Sequence, residues 1–169
     1  MNIVKLSIFG IGVTLCATVF AEGADVATVN NAQYNKECGA CHFAYPPGLL
    51  PARSWERLFS SLNKHFGENA ELDDSVTQTL KTYATQNAAD KSNYSRSVKI
   101  MRALRDGETP MRITELAYIR AKHHEIPTRM VAGNPKVGSL SKCEACHQHA
   151  AAGSFSEHDV KIPGFGRWE

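Results

Sequence analysis

Two short segments of this chain share the pattern Cys-x-x-Cys-His, and they constrain its fold more than any other feature. The first reads Cys-Gly-Ala-Cys-His at residues 38–42, and the second reads Cys-Glu-Ala-Cys-His at residues 143–147. This pattern is the signature of covalent c-type haem attachment. Each thiol can form a thioether with one haem vinyl group, and the histidine can bind the iron. The sequence therefore predicts two haem c groups, and the residues that hold them are Cys38, Cys41, His42, Cys143, Cys146 and His147.

Two other uses of four cysteines explain the pattern less well. In zinc ribbons the two Cys-x-x-Cys pairs are about 15–20 residues apart, whereas Cys41 and Cys143 are separated by much of the chain. Two disulfides would suit an exported protein. Neither zinc nor disulfides give a reason for the histidine after each pair, so haem attachment ranks first, zinc second and disulfides third.

The first 21 residues have the features of a secretory signal peptide. Lys5 precedes an apolar run over residues 6–20, and Ala21 fits the small residue of a cleavage site. The apolar run is shorter than the roughly 20 residues that span a bilayer, so we expect cleavage and not retention as an anchor. Cys16, the one cysteine outside the haem motifs, leaves with this segment. Bacteria complete covalent haem attachment outside the cytoplasmic membrane, so the periplasm is the expected location.

The charge balance of the chain restricts its partners. Nineteen basic and 17 acidic residues give a formal net charge of +2, which does not indicate nucleic-acid binding. After the signal peptide, no stretch is apolar and long enough to span a membrane. The expected protein is a monomer without stable membrane insertion, and its expected partner is a redox protein such as a small cytochrome or a membrane-bound electron donor.

Helical periodicity dominates the chain, and no alternating strand pattern of useful length occurs. A polar stretch over 88–96, rich in Asn and Ser, suggests a domain boundary. The fold class predicted is all-α, with two small haem domains, the second mostly helical with irregular loops such as 162–166. The predicted units are a signal peptide over 1–21, an N-terminal haem domain over 22–90 and a C-terminal haem domain over 91–169. Helices are predicted over 27–40, 54–66, 73–89, 98–104, 113–125 and 141–151.

Each low-spin haem iron needs a sixth ligand opposite its proximal histidine. In the first half of the chain, after the signal peptide, His65 is the one spare histidine and methionine does not occur. It shares the apolar face of its predicted helix with Trp55 and Leu62. The alternative is a histidine that merely packs on the helix, but the lack of another local ligand favours His65 for the first haem. Tyr45, three residues after His42, is a candidate to lie between the haems.

Several histidines compete for the second haem. His123 follows Ile119 by four residues and so shares its apolar face, whereas His124 points about 100° away. His158 is a further alternative, because Asp159 beside it could orient its ring. His123 is the first choice for this ligand, and His124 and His158 remain open.

With these residues placed, the chain resembles the small periplasmic dihaem cytochromes c of photosynthetic and other proteobacteria. The resemblance implies an N-terminal domain like a class I cytochrome c, a C-terminal domain of unusual fold, and bis-histidine ligation by His42 with His65 and by His147 with His123. Some members donate electrons to a small oxygen-binding monohaem cytochrome, which implies a similar partner here. The segments that carry the resemblance are CGACHFAYPPGLLPARSW at 38–55, HFGENA at 65–70, HHEIP at 123–127, SLSKCEACH at 139–147 and IPGFGRWE at 162–169.

The predicted function is electron transfer and not catalysis. Six-coordinate iron leaves no site where a substrate could be transformed, so the chain would set the haem potentials and expose a haem edge to a partner. The alternatives are a haem enzyme or gas-binding protein with one open iron site, or a dihaem subunit of a larger reductase. An open sixth position on one iron would distinguish the first of these from an electron carrier.

Overall fold

The computed structural model describes residues 23–168, so the predicted signal peptide over 1–21 lies outside the described residues. Within residues 23–168 the protein is mostly helical, which confirms the predicted all-α class. The α-helices are α1 (Ala32–Cys38), α2 (Ala52–Phe59), α3 (Asp74–Gln86), α4 (Ser95–Ala103), α5 (Ala117–His123) and α6 (Cys143–Cys146). Short 3₁₀ turns lie at Pro47–Leu49, Leu62–Lys64, Ala89–Lys91, Ile113–Glu115, Thr128–Met130, Ala150–Ala152 and Glu157–Asp159.

The largest difference from the predicted helices lies after α2. The periodicity predicts a single helix through His65, but α2 ends at Phe59 and a 3₁₀ turn follows. The hydroxyls of Ser60 and Ser61 donate to the Arg57 carbonyl at 2.8 and 3.0 Å. Such bonds compete with the helical ladder. His65 therefore follows a 3₁₀ turn and does not lie on a helix face.

The helices that carry the two haem motifs are shorter than predicted. α1 begins late because the Asn31 side chain caps it, accepting from the Tyr34 N–H at 2.9 Å. α6 ends at Cys146, because His147 leaves the helix and forms an isolated β-bridge with Val160. In both motifs the histidine lies beyond the helix end, so the following loop sets the direction of its ring.

The other helices differ from the predictions at their ends. α3 lies within the helix predicted over 73–89, whereas α4 begins a few residues before the helix predicted over 98–104. The helix predicted over 113–125 is divided into a 3₁₀ turn and α5, because Leu116 is not helical (ψ 131°). Boundary shifts of this size are common where a short polar segment can choose between turn and helix.

The tail of the chain, predicted to be irregular, contains a small hairpin. Strands β1 (Lys161–Ile162) and β2 (Gly166–Arg167) pair antiparallel, with Ile162 opposite Gly166. The turn between them requires positive φ at Gly164 (82°), a conformation that glycine adopts without steric cost. Alternation over two residues per strand is too short for a sequence pattern to indicate it.

Both halves of the chain contribute to one hydrophobic core. α2 packs on α3, and α4 packs on α5 and on the turn at Pro47–Leu49. Because burial of apolar area stabilises every element that shares it, the halves support each other. The division of the chain at residues 90 and 91 stays a prediction about folding units. Core members exposed by 2 % or less include Val26, Leu50, Leu80, Ile100 and Leu116.

Buried hydrogen bonds join the turn at Pro47–Leu49 to the helices around it. The Ser97 hydroxyl of α4 donates to the Gly48 carbonyl at 2.8 Å, and the Trp55 ring nitrogen donates to the Pro47 carbonyl at 2.8 Å. A Cβ atom at Gly48 would lie 2.8 Å from the Ser97 hydroxyl. Glycine is therefore required where α4 approaches this turn, just beyond the first haem motif.

Candidate haem sites

The first predicted pair of axial ligands faces each other in the structure. The ring centres of His42 and His65 are 6.1 Å apart, and their planes are inclined by 18°. His42 Nδ1 lies 2.8 Å from the Phe43 carbonyl oxygen. A carbonyl can only accept, so the proton is on Nδ1 and the Nε2 lone pair is free to bind a metal.

The separation of the rings fits an iron between them. Two metal–nitrogen bonds of about 2.0 Å each, with the distance from nitrogen to ring centre added on both sides, give roughly 6 Å between ring centres. The second pair, His123 and His147, has the same ring separation of 6.1 Å. Each pair is therefore spaced as the two axial ligands of one haem would be.

His65 is held in place by an aromatic residue and a cation. The Phe66 ring lies 4.8 Å from the His65 ring, and the Arg112 guanidinium lies 3.9 Å above the Phe66 ring. Phe66 adopts a left-handed conformation (φ 56°) that costs energy for a bulky residue. Burial, then the nearby His42 and Arg112, lowers the pKa of His65. A neutral imidazole is the form that binds a metal.

The first motif is open to solvent. Cys41 and His42 are exposed, and Cys38 at the end of α1 is partly buried. Burial, with a further contribution from Glu37, raises the pKa of the Cys38 thiol to about 11. The site therefore presents one edge to the solvent and rests its other side on α1.

The second pair has a different angle and more burial. The planes of His123 and His147 are inclined by 71°. His123 Nδ1 lies 2.8 Å from the Ile119 carbonyl oxygen, so it carries the proton and leaves Nε2 free. The Phe155 ring packs 5.4 Å from the His147 ring. Burial, then His123 and Arg96, lowers the pKa of His147 to about 4.

A cavity of about 330 Å³ contains this second site. Both cysteines of the second motif and both histidines of the pair line it. Its other walls are largely aliphatic or aromatic, and one of them, Leu49, comes from the first half of the chain. An apolar cavity with two facing imidazoles suits a flat apolar macrocycle with a central metal. The apolar lining includes Leu49, Ile113, Val131, Val137, Val160 and Ile162.

Of the two alternative ligands for the second haem, His124 also lines the cavity, whereas His158 does not. The His124 side chain is 70 % exposed, and its Nδ1 lies 2.8 Å from the Ala121 carbonyl oxygen. His158 is exposed in a 3₁₀ turn and is not among the residues that line the cavity. The structure therefore brings His123, and neither His124 nor His158, opposite His147.

The cysteines do not form an alternative site. None of the four cysteines within residues 23–168 is in a disulfide, and no cluster of three or more His, Cys, Asp or Glu in that part of the chain could hold a metal ion. Burial, then Glu144, raises the pKa of the Cys143 thiol to about 12. Thiolates and not thiols bind metals, so a buried Cys143 fits a thioether better than a zinc ligand.

Tyr45 connects the two motifs. Its ring lies 5.0 Å from the His42 ring, and its hydroxyl donates to the Ser141 carbonyl, two residues before Cys143. Burial, then Cys143 and Glu144, raises the pKa of Tyr45 to about 12, so the phenol keeps its proton. Tyr45 therefore contacts both motifs, and its position between the haems stays a prediction.

Sequence reasoning missed the residues behind His147. Arg96, Asp25 and Phe155 lie together there. Arg96 and Asp25, which are 71 positions apart in the sequence, form a hydrogen bond and an ion pair. Neither periodicity nor motif spacing could indicate this cluster. In the sequence, Arg96 is one basic residue at the end of a polar stretch, and no pattern distinguishes it from an exposed arginine.

The chain is similar to solved structures of diheme cytochromes c. A diheme cytochrome c of Shewanella baltica OS155 is 46 % identical, with a TM-score of 0.68, over 82 % of this chain and 98 % of that chain. A diheme cytochrome c from Rhodobacter sphaeroides is 43 % identical, with a TM-score of 0.68, over 76 % of this chain and 98 % of that chain. A search of curated proteins finds no match.

A family profile described as dihaem cytochrome c matches residues 34–155. The match begins in α1 before the first motif and ends at Phe155, beyond the second motif. It therefore includes both Cys-x-x-Cys-His segments and both facing histidine pairs. The chain belongs to the dihaem cytochrome c family, and its cofactors are two haem c groups.

Proposed function

We propose that the protein is a periplasmic electron carrier in which two histidines bind each haem iron. His42 and His65 are the axial ligands of the first haem, and His147 and His123 are those of the second. The single observation that carries this proposal is the pair of facing rings at 6.1 Å in each site. Free Nε2 lone pairs on His42 and His123 support it further.

The bound haems supply iron that alternates between the ferric and ferrous states. The chain's own residues do the rest: the cysteines hold the haems by thioethers, and the four histidines close both axial positions of each iron. With both positions closed, no substrate reaches the metal, so the protein is a carrier and not an enzyme. Ligand type and burial then set the two potentials.

The exposed first site is the proposed place of electron exchange with a partner. Cys41 and His42 are exposed there, whereas the second site lies in a cavity with a largely apolar lining. The proposed partner is a redox protein, such as a small monohaem cytochrome, that docks transiently at this edge. With few net charges overall, steering depends on local charges and weakens with salt. Reduction of the partner should therefore slow as ionic strength rises.

Export and a monomeric state complete the proposal. The apolar run over residues 6–20 and Ala21 support cleavage of a signal peptide and a periplasmic location. No helix among residues 23–168 is long and apolar enough to cross a bilayer. Mass measurement of the purified protein, with size-exclusion chromatography, tests cleavage and oligomeric state together.

The decisive experiment is a titration of the dithionite-reduced protein with carbon monoxide, followed optically. Two closed bis-histidine sites predict an unchanged spectrum. His65→Ala should open the first iron and His123→Ala the second, so each variant should bind one equivalent. His124→Ala is the matched control on the neighbouring residue, and its spectrum should stay unchanged.

Two outcomes would overturn the proposal. Rapid conversion of one haem in the unsubstituted protein would make it a gas-binding protein or haem enzyme with an open site. Conversion in His124→Ala or His158→Ala, but not in His123→Ala, would move the sixth ligand to that residue. Purification in a stable complex with other subunits would instead indicate a subunit of a reductase.

A further inference from the structure

One cation lies close to the second haem site and is shielded from solvent. The Arg96 side chain is 13 % exposed and lines the cavity that contains His123 and His147. Its guanidinium donates to the Tyr118 hydroxyl at 3.2 Å and to the Phe155 carbonyl at 2.9 Å. It also lies over the rings of both residues, at 5.8 and 6.0 Å from their centres. The positive charge is therefore fixed just behind the residue that packs on His147.

Asp25 is the counterion of this arginine. One of its carboxylate oxygens accepts from an Arg96 nitrogen at 3.1 Å and from the Phe155 N–H at 2.7 Å. Its side chain is 21 % exposed. The Asp25 N–H donates to the Gly153 carbonyl at 2.8 Å, and the Asp25 carbonyl accepts from the Arg96 N–H at 3.0 Å. Backbone and side chain together hold the carboxylate in one position.

Gly153 allows the segment that carries Asp25 to pack closely against the loop after the second motif. It adopts a positive φ of 78°, and a Cβ atom there would lie 2.3 Å from the Val26 carbonyl oxygen. Glycine is the residue that satisfies both conditions. The start of the described chain can therefore lie against the loop after the second motif and deliver Asp25 to Arg96.

The protein does not satisfy all the donors of Arg96. Its Nε atom is buried and has no hydrogen-bond partner among the described residues. Buried polar groups are nearly always hydrogen-bonded, so a donor remains for the group that fills the cavity. Asp25 accepts from a terminal nitrogen of the guanidinium and not from Nε, so it neutralises only part of the charge that the second site experiences.

Reduction adds one electron to a haem, and a nearby fixed charge changes the free energy of that step. A cation favours the ferrous state and an anion favours the ferric state. The effect is strong where the local dielectric constant is low. We propose that Arg96 raises the reduction potential of the second haem and that Asp25, its counterion, lowers it. This inference rests on the proposed function, since it requires a haem bound between His123 and His147.

Potentiometric titration with optical detection tests the proposal, and the first haem is the internal reference. Each haem gives one step, or wave, in the titration. His65→Met identifies the wave of the first haem, because methionine opposite histidine raises the potential of that haem. In Arg96→Gln we expect the other wave to move to lower potential, by a severalfold to tenfold change in the ferrous-to-ferric equilibrium, up to about 59 mV. In Asp25→Asn we expect the same wave to move in the opposite direction.

Two controls separate charge from packing. Arg96→Lys keeps the charge but loses the guanidinium geometry, so a charge effect predicts a much smaller shift than in Arg96→Gln. Lys99→Gln removes an exposed charge from the same helix, where solvent screens it, and should move neither wave. The unfolding free energy of each variant, measured in parallel, reports the structural cost separately.

Opposite shifts in Arg96→Gln and Asp25→Asn, confined to one wave, would support the proposal. Shifts in the same direction, or equal shifts in Arg96→Gln and Arg96→Lys, would overturn it and assign a packing role. If Arg96→Gln does not fold, the direction of the shift in Asp25→Asn still tests the sign of the charge effect, and Arg96→Lys reports the effect of packing. Carbon monoxide binding by the unsubstituted protein would contradict the proposed function itself, and it is measured before any potential.

Discussion

The same pentapeptide pattern is used in two sites that differ in their surroundings. In the first site the histidine rings are inclined by 18° and the motif is exposed, whereas in the second the rings are inclined by 71° inside an apolar cavity of about 330 Å³. The ring separation is 6.1 Å in both. The separation is thus common to both sites, whereas the elements packed over each motif set the angle and the exposure.

The difference follows from the part of the chain that carries each proposed sixth ligand. His65 follows a 3₁₀ turn after α2 and packs beside the exposed Phe66, and it is not carried by a helix of the shared core. His123 ends α5, which packs on α4 in the shared core. The loop after the second motif, with Phe155, covers the other side. The second haem is therefore expected to contribute more to the core than the first.

The largest expected effect comes from removing one haem at a time. The pair Cys143→Ala and Cys146→Ala should lose the second haem and leave its cavity empty. At about 24 cal/mol per Å³, an unfilled cavity of 330 Å³ costs roughly 8 kcal/mol as an upper bound. That is comparable to the whole stability of a domain, about 5–15 kcal/mol. Denaturant unfolding measures the lost free energy of unfolding, and counting the haems bound per protein checks that one haem has been lost.

The matched control for this test is the first motif. Cys38→Ala with Cys41→Ala should also lose one haem but destabilise the protein less, because that site is open to solvent. Equal losses of unfolding free energy in the two double variants would contradict the expectation that the second haem contributes more to the core than the first.

A smaller effect is expected from Asp25→Asn, which removes the carboxylate behind the second site. Loss of a charge-assisted contact to Arg96 and Phe155 should lower the free energy of unfolding by about 2 kcal/mol. Burial alone would raise the pKa of Asp25, but the Phe155 N–H, Arg96 and Ser95 together lower it below its usual 3.8. The unsubstituted protein therefore has its full stability advantage over Asp25→Asn above about pH 4. It loses this advantage as the pH falls through the lowered pKa of Asp25.

Unfolding of the two proteins at several pH values measures this advantage. A difference that stays constant down to strongly acidic pH would show that the ionised carboxylate is not the source of the stability. A difference that disappears on acidification, with the first haem's spectrum unchanged, would confirm that Asp25 acts on the second site.

Tyr45→Phe tests the connection between the two sites. The variant loses the hydrogen bond to the Ser141 carbonyl but keeps the ring beside His42, so we expect a loss of about 1 kcal/mol in unfolding free energy. Tyr94→Phe, at an exposed tyrosine, is the control and should have no effect. No change in Tyr45→Phe would mean that the motifs are held together by the shared core alone.

The last prediction needs no substitution and no change in stability. In a low-spin ferric haem, perpendicular imidazole planes interact almost equally with the two iron orbitals that share the unpaired electron. The electron paramagnetic resonance signal is therefore more anisotropic than it is with parallel planes. The angles of 71° and 18° predict one signal of each kind. Two identical signals would contradict the difference in ring angle.

Sequence reasoning reached different depths in the two sites. It chose His65 by elimination and placed it on a helix, but Ser60 and Ser61 end α2 before that residue. His65 still comes to face His42. For the second haem, the apolar face shared with Ile119 favoured His123, and the structure turns His124 outward. Ligation by either residue stays a proposal. Local periodicity can rank neighbours on one helix, but hydroxyl competition with the helical ladder depends on geometry that a hydrophobic pattern does not contain.

The sequence by itself determined the haem motifs, the mostly helical class and the short list of histidines, because covalent attachment needs fixed residue types at fixed local spacing. Only the tertiary structure decided the ring angles, the enclosure of the second site and the meeting of Asp25 with Arg96. These properties arise where segments distant in the chain pack together. Packing depends on shape and burial summed over many residues, so no local pattern records it.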